Sequence, residues 1–428
     1  MRFISKISLS DSRVITVLCF LFIIMSIHCT GIYASIYVNG FGETGYYPRL
    51  NDPGKTVINQ QRVRLNMSGS KGIFSYKVWS EAQKNGSGEL RPEWELLVPE
   101  IFGELNGKSF FVRVGKQQIV WGAADGLFIN DVVNPLDLRE FLLPDLENIH
   151  RAQPSVRLQY RRSDWLAESV WIVKFDETKL PDIMTSNIGN SAMAGVTIPL
   201  VFHDSEKPPV TFSNSEFGFR ISGLIKQWDI SLNYLRSWRD IPTYRGTVNV
   251  SETEGPTLIM TPFYQRISSW GGSFSRPLGT TLLRGEFSYI PDLLMETTET
   301  DVSKMIQGQD FLTYFLGMDY VVYKARIGFQ FAQEIAFGDA ELLYRNKVDN
   351  VLTLLLERTF LRDTLQCTIF ADREFDQDDL WVRTEFGYRM NSKVKVMCGS
   401  HIFTGKESGH LGMFHDWSNV FVKLRYSF

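Results

Sequence analysis

The sequence predicts an all-β, transmembrane, antiparallel up-and-down barrel of about eighteen strands, with sixteen as the alternative. Three observations carry that expectation. The chain reads as a long series of segments in which apolar and polar residues alternate. The linkers between those segments alternate between short and long. The chain also closes on an amphipathic stretch, Val420 to Phe428, whose odd face carries the polar Lys423, Arg425 and Ser427 and whose even face is apolar. Successive side chains of a strand point to opposite faces, so each such segment presents one apolar and one polar surface.

The N-terminus sets the compartment. Arg2, Lys6 and Arg13 lead into the apolar run Val14 to Ile27, and small residues follow at Gly31, Ala34 and Ser35. This is the pattern of a secretory signal peptide over residues 1–34, cut after Ala34, with the barrel over residues 35–428. The run is too short for a membrane helix, which needs about 20 apolar residues. The residues before Cys29 (Ser26, Ile27 and His28) do not suit lipidation. The 428-residue chain has a net charge of −3, is 44% hydrophobic and is 13% aromatic, and after residue 34 it offers no apolar run long enough for a spanning helix. Cys367 and Cys398 fall on strands separated by a third, about 9–10 Å apart, and are expected to stay unbridged.

In order, the expected strands are Ser35 to Gly42, Gln61 to Ser68, Ile73 to Gln83, Glu95 to Leu105, Phe110 to Trp121 and Val156 to Arg162. Then come Trp165 to Phe175, Glu216 to Leu224, Gln227 to Arg236, Phe263 to Arg276, Thr280 to Ile290 and Phe311 to Tyr323. The last six are Ala325 to Phe337, Val348 to Phe360, Thr364 to Phe375, Leu380 to Met390, Lys393 to Phe403 and Val420 to Phe428. Most approach the 9–11 residues that cross a membrane obliquely. Asn106-Gly107 is the strongest two-residue hairpin signal. The short linkers all fall at one end and the long ones at the other, apart from the modest Asp376 to Asp379. That is the segregation of periplasmic turns and external loops in an outer-membrane barrel.

Parity then divides the side chains. Apolar sets such as Phe217, Phe219 and Ile221, or Leu316, Met318 and Tyr320, face lipid, and Tyr160, Trp228, Tyr320, Tyr388 and Phe428 form a periplasmic aromatic girdle. The expected pore wall carries Arg62, Arg64, Arg113, Arg157, Arg161, Arg220, Arg284, Arg326, Arg383, Arg389, Lys395 and Arg425. Inward acids are fewer, chiefly Asp229, Glu286, Asp319, Asp372 and Glu385. Such a wall would favour anions, unless the arginines pair with inward acids and knit the wall together. The third external loop, residues 123–154, is too apolar to stand in water. It is expected to fold into the lumen as a constriction, with Pro135 starting a short helix through Leu143. Asp131, Asn134, Pro135, Asp137, Arg139 and Glu140 are its expected working residues.

Arg113 to Gly122 (R-V-G-K-Q-Q-I-V-W-G), followed by Asn130 and by Asn134 to Arg139 (N-P-L-D-L-R), resembles the signature of a poorly characterised Gram-negative family of porin-like outer-membrane proteins. The terminal Arg425-Tyr426-Ser427-Phe428 matches that family's closing strand. The resemblance implies an outer-membrane barrel and a passive channel; the expected solutes, small or medium polar and anionic or amphiphilic, are read from this chain and not from the family. It also implies that Tyr426 and Phe428 belong to the signal read by the barrel assembly machinery. Expected partners are outer-membrane lipid, that machinery and the solutes, with a homo-oligomer left open. Two other functions remain: a non-conducting sheath for an electron-transfer or secretion partner, and a rim hydrolase using His401. His401, His410 and His415 match no metal-site spacing, and neither a phosphate-binding loop nor a haem-attachment motif is present, so no cofactor, metal, catalytic residue or nucleic-acid contact is expected.

Overall fold

The structure is a computed structural model. It describes residues 35–428 except 87–89, 145–148, 185–198, 252–254, 298, 300, 302–303 and 339–345. The signal peptide expected over residues 1–34 lies outside the described residues, as does the 145–148 portion of the third loop.

Eighteen strands form the wall. They are β1 Ser35–Pro48, β2 Thr56–Lys71, β3 Phe74–Asn85, β4 in two pieces (Trp94–Leu97 and Ile101–Asn106), β5 Phe110–Gln117 and β6 Gln153–Arg162. Next are β7 Trp165–Ile172, β8 Glu216–Ile225, β9 Trp228–Trp238, β10 Arg266–Leu278, β11 Thr281–Glu296 and β12 Ile306–Val322. The last are β13 Ala325–Phe337, β14 Val348–Phe360, β15 Leu365–Glu374, β16 Asp379–Arg389, β17 Val394–Thr404 and β18 Asn419–Ser427. Each pairs antiparallel with the next, and β1 pairs with β18 from Phe41–Ser427 to Tyr46–Val422, so no edge is left in the bilayer. Gly40 and Phe428 extend this seam by exchanging two backbone hydrogen bonds of 3.0 Å. The Phe428 ring lies over Gly40, where an added Cβ would sit 3.0 Å from it.

Parity places the faces as expected. Phe219, Ile221, Leu316, Met318, Tyr320, Val422, Leu424 and Tyr426 are exposed on the outside, whereas Arg62, Arg64, Arg284 and Lys423 are buried inside. Tyr160 packs with Phe110 (4.9 Å between centroids) and Tyr426 with Phe428 (6.5 Å) at the short-turn end. The tight turns take mirror-image geometry, with φ of 48° and 73° at Lys226 and Gln227 and of 45° and 63° at Tyr323 and Lys324. That geometry matches the right-handed twist of the flanking strands. Cys367 and Cys398 are free, one strand apart.

Three features depart from expectation. The loop between β9 and β10 is not structureless: Thr243–Ser251 and Gly255–Phe263 form a hairpin that joins Leu200–Phe202 in a small external sheet. β11 and β12 reach 16 and 17 residues, longer than the bilayer requires, with a register shift between Ile290 and Leu293. The helix expected from Pro135 to Leu143 does not form. The Asp137 amide bonds Ile149 O and the Leu138 amide bonds Lys179 O, while Phe141 adopts φ 50° to enter an aromatic stack. Tertiary pairing overrides the local helix signal.

Closure predicts the effect of shortening the chain. Deleting Phe428 removes the final rung and the ring over Gly40, and is expected to reduce the fraction of heat-modifiable barrel recovered in membranes several-fold. Semi-native gel mobility at equal synthesis checks it, and normal recovery would refute a role for the terminal residue in closure.

Candidate pore constriction

The third loop leaves the wall at a glycine. Gly115 has φ 140°, and a Cβ there would lie 2.3 Å from Ile101 O, so no other residue fits without displacing β4. Two residues later the ladder stops and the chain turns inward. The fully buried Gln117 donates through Nε2 to Ser155 O (3.1 Å), and Gln118 donates through its amide to Glu100 Oε1 (3.0 Å) and through Nε2 to His150 O (2.7 Å). Asn134 mimics a strand partner: its Oδ1 accepts from the Ile119 amide (3.1 Å) and its Nδ2 donates to Ile119 O (2.8 Å). Trp121, 1% exposed, donates through Nε1 to Glu168 on β7 (2.7 Å) and fills the space above Gly218.

The loop then crosses the lumen and is pinned to the far wall. Glu286 on β11 accepts from the amides of Ala123 (2.7 Å) and Asn130 (2.6 Å). Asn130 and Asn233 on β9 exchange side-chain hydrogen bonds of 2.7 and 2.8 Å, and this approach requires Gly271, whose added Cβ would lie 2.1 Å from Asn130 Oδ1. Asp125 receives Arg284 of β11 and Arg326 of β13, both of which also bind Asp319. Gln330 accepts from the Asp125 amide and donates to Asp125 O (3.0 and 2.8 Å). Ile129 packs with Phe315 and Ala332, and Gly126 lies against Phe370.

A second latch holds the outer part of the loop. Asp137 binds Arg139 through both carboxylate oxygens (2.9 and 2.6 Å), and Arg91 from the β3–β4 loop bridges Asp137 (3.1 Å) and Glu140 (3.0 Å). Arg139 also reaches Glu95 (3.1 Å). Phe141 stacks on Phe414 at 3.9 Å, and Leu142 and Leu143 join the same apolar cluster. Burial alone would raise the Asp137 carboxyl, but the Arg139 hydrogen bonds and the Arg91 charge outweigh it and hold its pKa at about 2. A depressed carboxylate contributes stability above its unfolded pKa of about 3.9 and loses it as pH falls through the folded value. The latch is therefore expected to hold at pH 5 and to loosen between about pH 4 and 2. Protease sensitivity of the 136–143 segment against pH checks this, and Asp137→Asn should abolish that transition.

Of the expected pore residues, eight of the twelve cations form ion pairs with carboxylates among the described residues. These are Arg62 and Arg425 with Glu43, Arg64 with Glu81, Arg113 with Glu104 and Arg157 with Glu168. Arg284 and Arg326 bind Asp319 as above, and Arg383 binds Glu385 (2.8 Å). Arg220 donates to Ser231 Oγ (3.3 Å). Arg161 and Arg389 are exposed at the short-turn end, and Lys395 is half-buried in the wall of an inner cavity. Glu43, Glu81, Glu104, Glu168 and Glu357 did not emerge from composition. Several stand directly across from their cation in register (Glu43–Arg62, Arg64–Glu81, Glu104–Arg113, Arg326–Glu357), the cross-strand position where opposite charges attract. The wall is mostly neutralised, which weakens the expectation of a uniformly cationic pore.

In the loop, Asp137, Arg139 and Glu140 belong to the latch, Asn134 and Pro135 to its backbone pairing, and Asp131 bonds His150. His401 is buried near the external end of β17, enclosed by Tyr47, Trp381 and Phe421. Among the described residues, three cavities adjoin the loop. One of about 260 Å³ lies on the external side among Gln60, Arg62, Glu140 and Lys179. One of about 720 Å³ is lined by Phe128, Arg383, Lys395 and Arg425, and one of about 680 Å³ by Ser70, Glu104 and Arg157. Arg64, Trp79, Gln118 and His150 line both of the first two, and Gln118 lines all three.

A closed eighteen-strand antiparallel wall with its third loop inside the lumen is the porin-type outer-membrane fold. The chain belongs to the family described as "Protein of unknown function (DUF1302)", whose model matches residues 93–428. Among solved structures it is similar to OccAB2 of Acinetobacter baumannii (TM-score 0.54, 8% identity, 92% of this chain and 98% of that one). It is also similar to OccAB1 of the same organism (0.54, 9%, 92% and 96%) and to OccK1 (OpdK) of Pseudomonas aeruginosa (0.51, 8%, 92% and 98%). At these identities the likeness concerns the fold. No curated protein matches the chain.

Proposed function

We propose that the protein is a passive outer-membrane channel for small polar and amphiphilic solutes, with residues 123–154 as its constriction. The observation that carries this reading is the shared lining of the external and inner cavities. A solute leaving one for the other would pass Arg64, Trp79, Gln118 and His150. Arg64 lies 4.8 Å over the Trp79 ring and Lys77 lies 3.9 Å from it, so the neck combines cationic hydrogen-bond donors with one aromatic surface. That pairing suits solutes with a polar or anionic group on an apolar body, while the Arg64–Glu81 ion pair limits the net field. The wall cations from Arg62 to Arg425 then serve mainly to set the loop and the wall, and only secondarily to draw anions.

Purified protein in planar bilayers should show discrete conductance steps, and a salt gradient should give a small reversal potential. Arg64→Gln leaves Glu81 uncompensated at the neck and is expected to shift that potential toward cation preference without changing barrel yield. Absence of any current from correctly folded protein would overturn the channel reading.

A further inference from the structure

The wall is thinned at one place. β4 is interrupted at Val98-Pro99-Glu100, and its upper piece is paired with β3 alone, Leu97 facing Glu81 and Trp94 facing Lys84. On its other side β5 stops: the β4–β5 ladder ends at the Ile101–Lys116 pair, and the chain departs into the lumen after Gln117. The next wall strand, β6, begins opposite that same Gln117. Above this level neither β5 nor β6 continues as a described strand, and Leu97, Val98 and Pro99 share the lining of one cavity with residues 149–152, which lead into β6. Pro99 has no amide with which to rebuild a ladder there.

Side chains fill the break instead. Lys116 shares the parity of Phe110 and Val114, both exposed on the lipid face, and its Nζ donates to Val98 O at 2.7 Å. A carbonyl, not a carboxylate, holds this ammonium: the nearby Asp176 is bonded by Arg151 at 2.7 Å. Trp94 and Leu96, on the piece of β4 just above, are 65% and 80% exposed, so the outer face of the break is bordered by apolar side chains. The external cavity of about 260 Å³ reaches it, since Leu97, Val98, Pro99, Lys116 and Arg151 line that cavity together with Arg62 and Arg64 of the barrel interior. A lysine set within a membrane-spanning wall and held by a carbonyl is costly and rare without a role.

We propose that this break is a lateral port, admitting an acyl-chain amphiphile with an anionic headgroup between the outer leaflet and the external cavity. The headgroup is received by Lys116 and Arg151, and the chain stays against Leu97, Val98 and Pro99. Charge and surface type select this occupant: Lys116, held by a carbonyl, stands beside apolar lips with Arg151, bonded to Asp176, next to it, and behind them lies an interior of paired charges. The port does not depend on axial conduction, because passage through the wall and passage through the neck use different sides of the cavity.

The test is photocrosslinking from p-benzoylphenylalanine placed at Leu97, with a second probe at the lipid-facing Leu354 as reference. Protein is reconstituted in vesicles carrying radiolabelled phosphatidic acid or phosphatidylcholine with matched chains. Labelling at Leu97, normalised to Leu354, should favour phosphatidic acid several-fold. Lys116→Gln should remove that preference, and Lys116→Arg should retain it, with gel mobility reporting an intact barrel in each. No labelling at Leu97, equal labelling of the two lipids, or a preference that survives Lys116→Gln would overturn the port and leave Lys116 as a staple across the break. Conductance of the same preparations separates the two readings, since selective labelling by a non-conducting barrel removes the channel and keeps the port.

Discussion

Removing residues 125–148 should raise single-channel conductance at least about twofold and flatten its solute-size dependence, because an eighteen-strand barrel encloses an aqueous lumen that only inserted segments can narrow. The deleted stretch includes the Asn130 contact to Glu286, the Asp125 contacts to Arg284, Arg326 and Gln330, and both halves of the Arg91–Asp137–Arg139 latch on the loop side, leaving only Ala123 against Glu286 and Arg284. The wall itself should survive. The ladders of β5 with β6, and of β9 through β13 with one another, contain no deleted residue. What the deletion exposes is polar on the far side, where Glu286, Asp319 and Arg284 meet water, and apolar near Phe403 and Phe414, so some loss of thermal stability is expected. Conductance measured in planar bilayers, alongside heat-modifiable mobility, decides the matter. An unchanged conductance in a folded barrel would mean that the loop is not the constriction.

The wall was legible in the sequence to a degree that the loop was not, and the reason is the range of the forces involved. Strand identity is local: alternation over ten residues and a short turn are visible at once, and all eighteen expected strands correspond to wall strands. Even there, local signals were missed where they lay outside the membrane. Tyr244, Val248 and Val250 alternate with polar residues in the external hairpin, yet they sit inside a linker whose length suggested only a loop. The constriction depends on partners 161 and 205 residues away, Arg284 with Ala123 and Gln330 with Asp125. Such pairs follow from closure and shear, which set the strands facing one another across the lumen, and no periodicity encodes them. The inward position of the loop was nonetheless deducible, because its apolar residues need a core and the lumen is the nearest one. The false helix shows the limit of that deduction: Pro135 and Pro144 frame a helix only while Asp137 and Leu138 have no better partners for their amides.

The latch on the far wall is where one substitution should cost most. Arg284 is buried and holds two carboxylates, Asp319 at 3.2 Å on the neighbouring strand and Asp125 from the loop. Arg284→Ala removes the cation and leaves Asp319, 4% exposed, with Arg326 alone, and the loop loses one of the two arginines that hold Asp125. Breaking a buried pair from one side costs about 3–5 kcal/mol, since the remaining charge is left desolvated. Barrel closure depends on backbone ladders, so most of that cost should fall on loop docking, seen as larger and noisier current steps and faster proteolysis within residues 123–144. The double variant Arg284→Met/Asp319→Asn removes the stranded charge together with its partner and should recover most of the quiet, low-conductance behaviour, because replacing both members by groups of similar volume is often close to neutral. If the double variant is as noisy as the single one, Arg284 acts by direct contact with the loop and not by balancing the buried carboxylates. If neither differs from the parent protein, the contacts to Arg326, Gln330, Glu286 and Asn233 suffice to hold the loop.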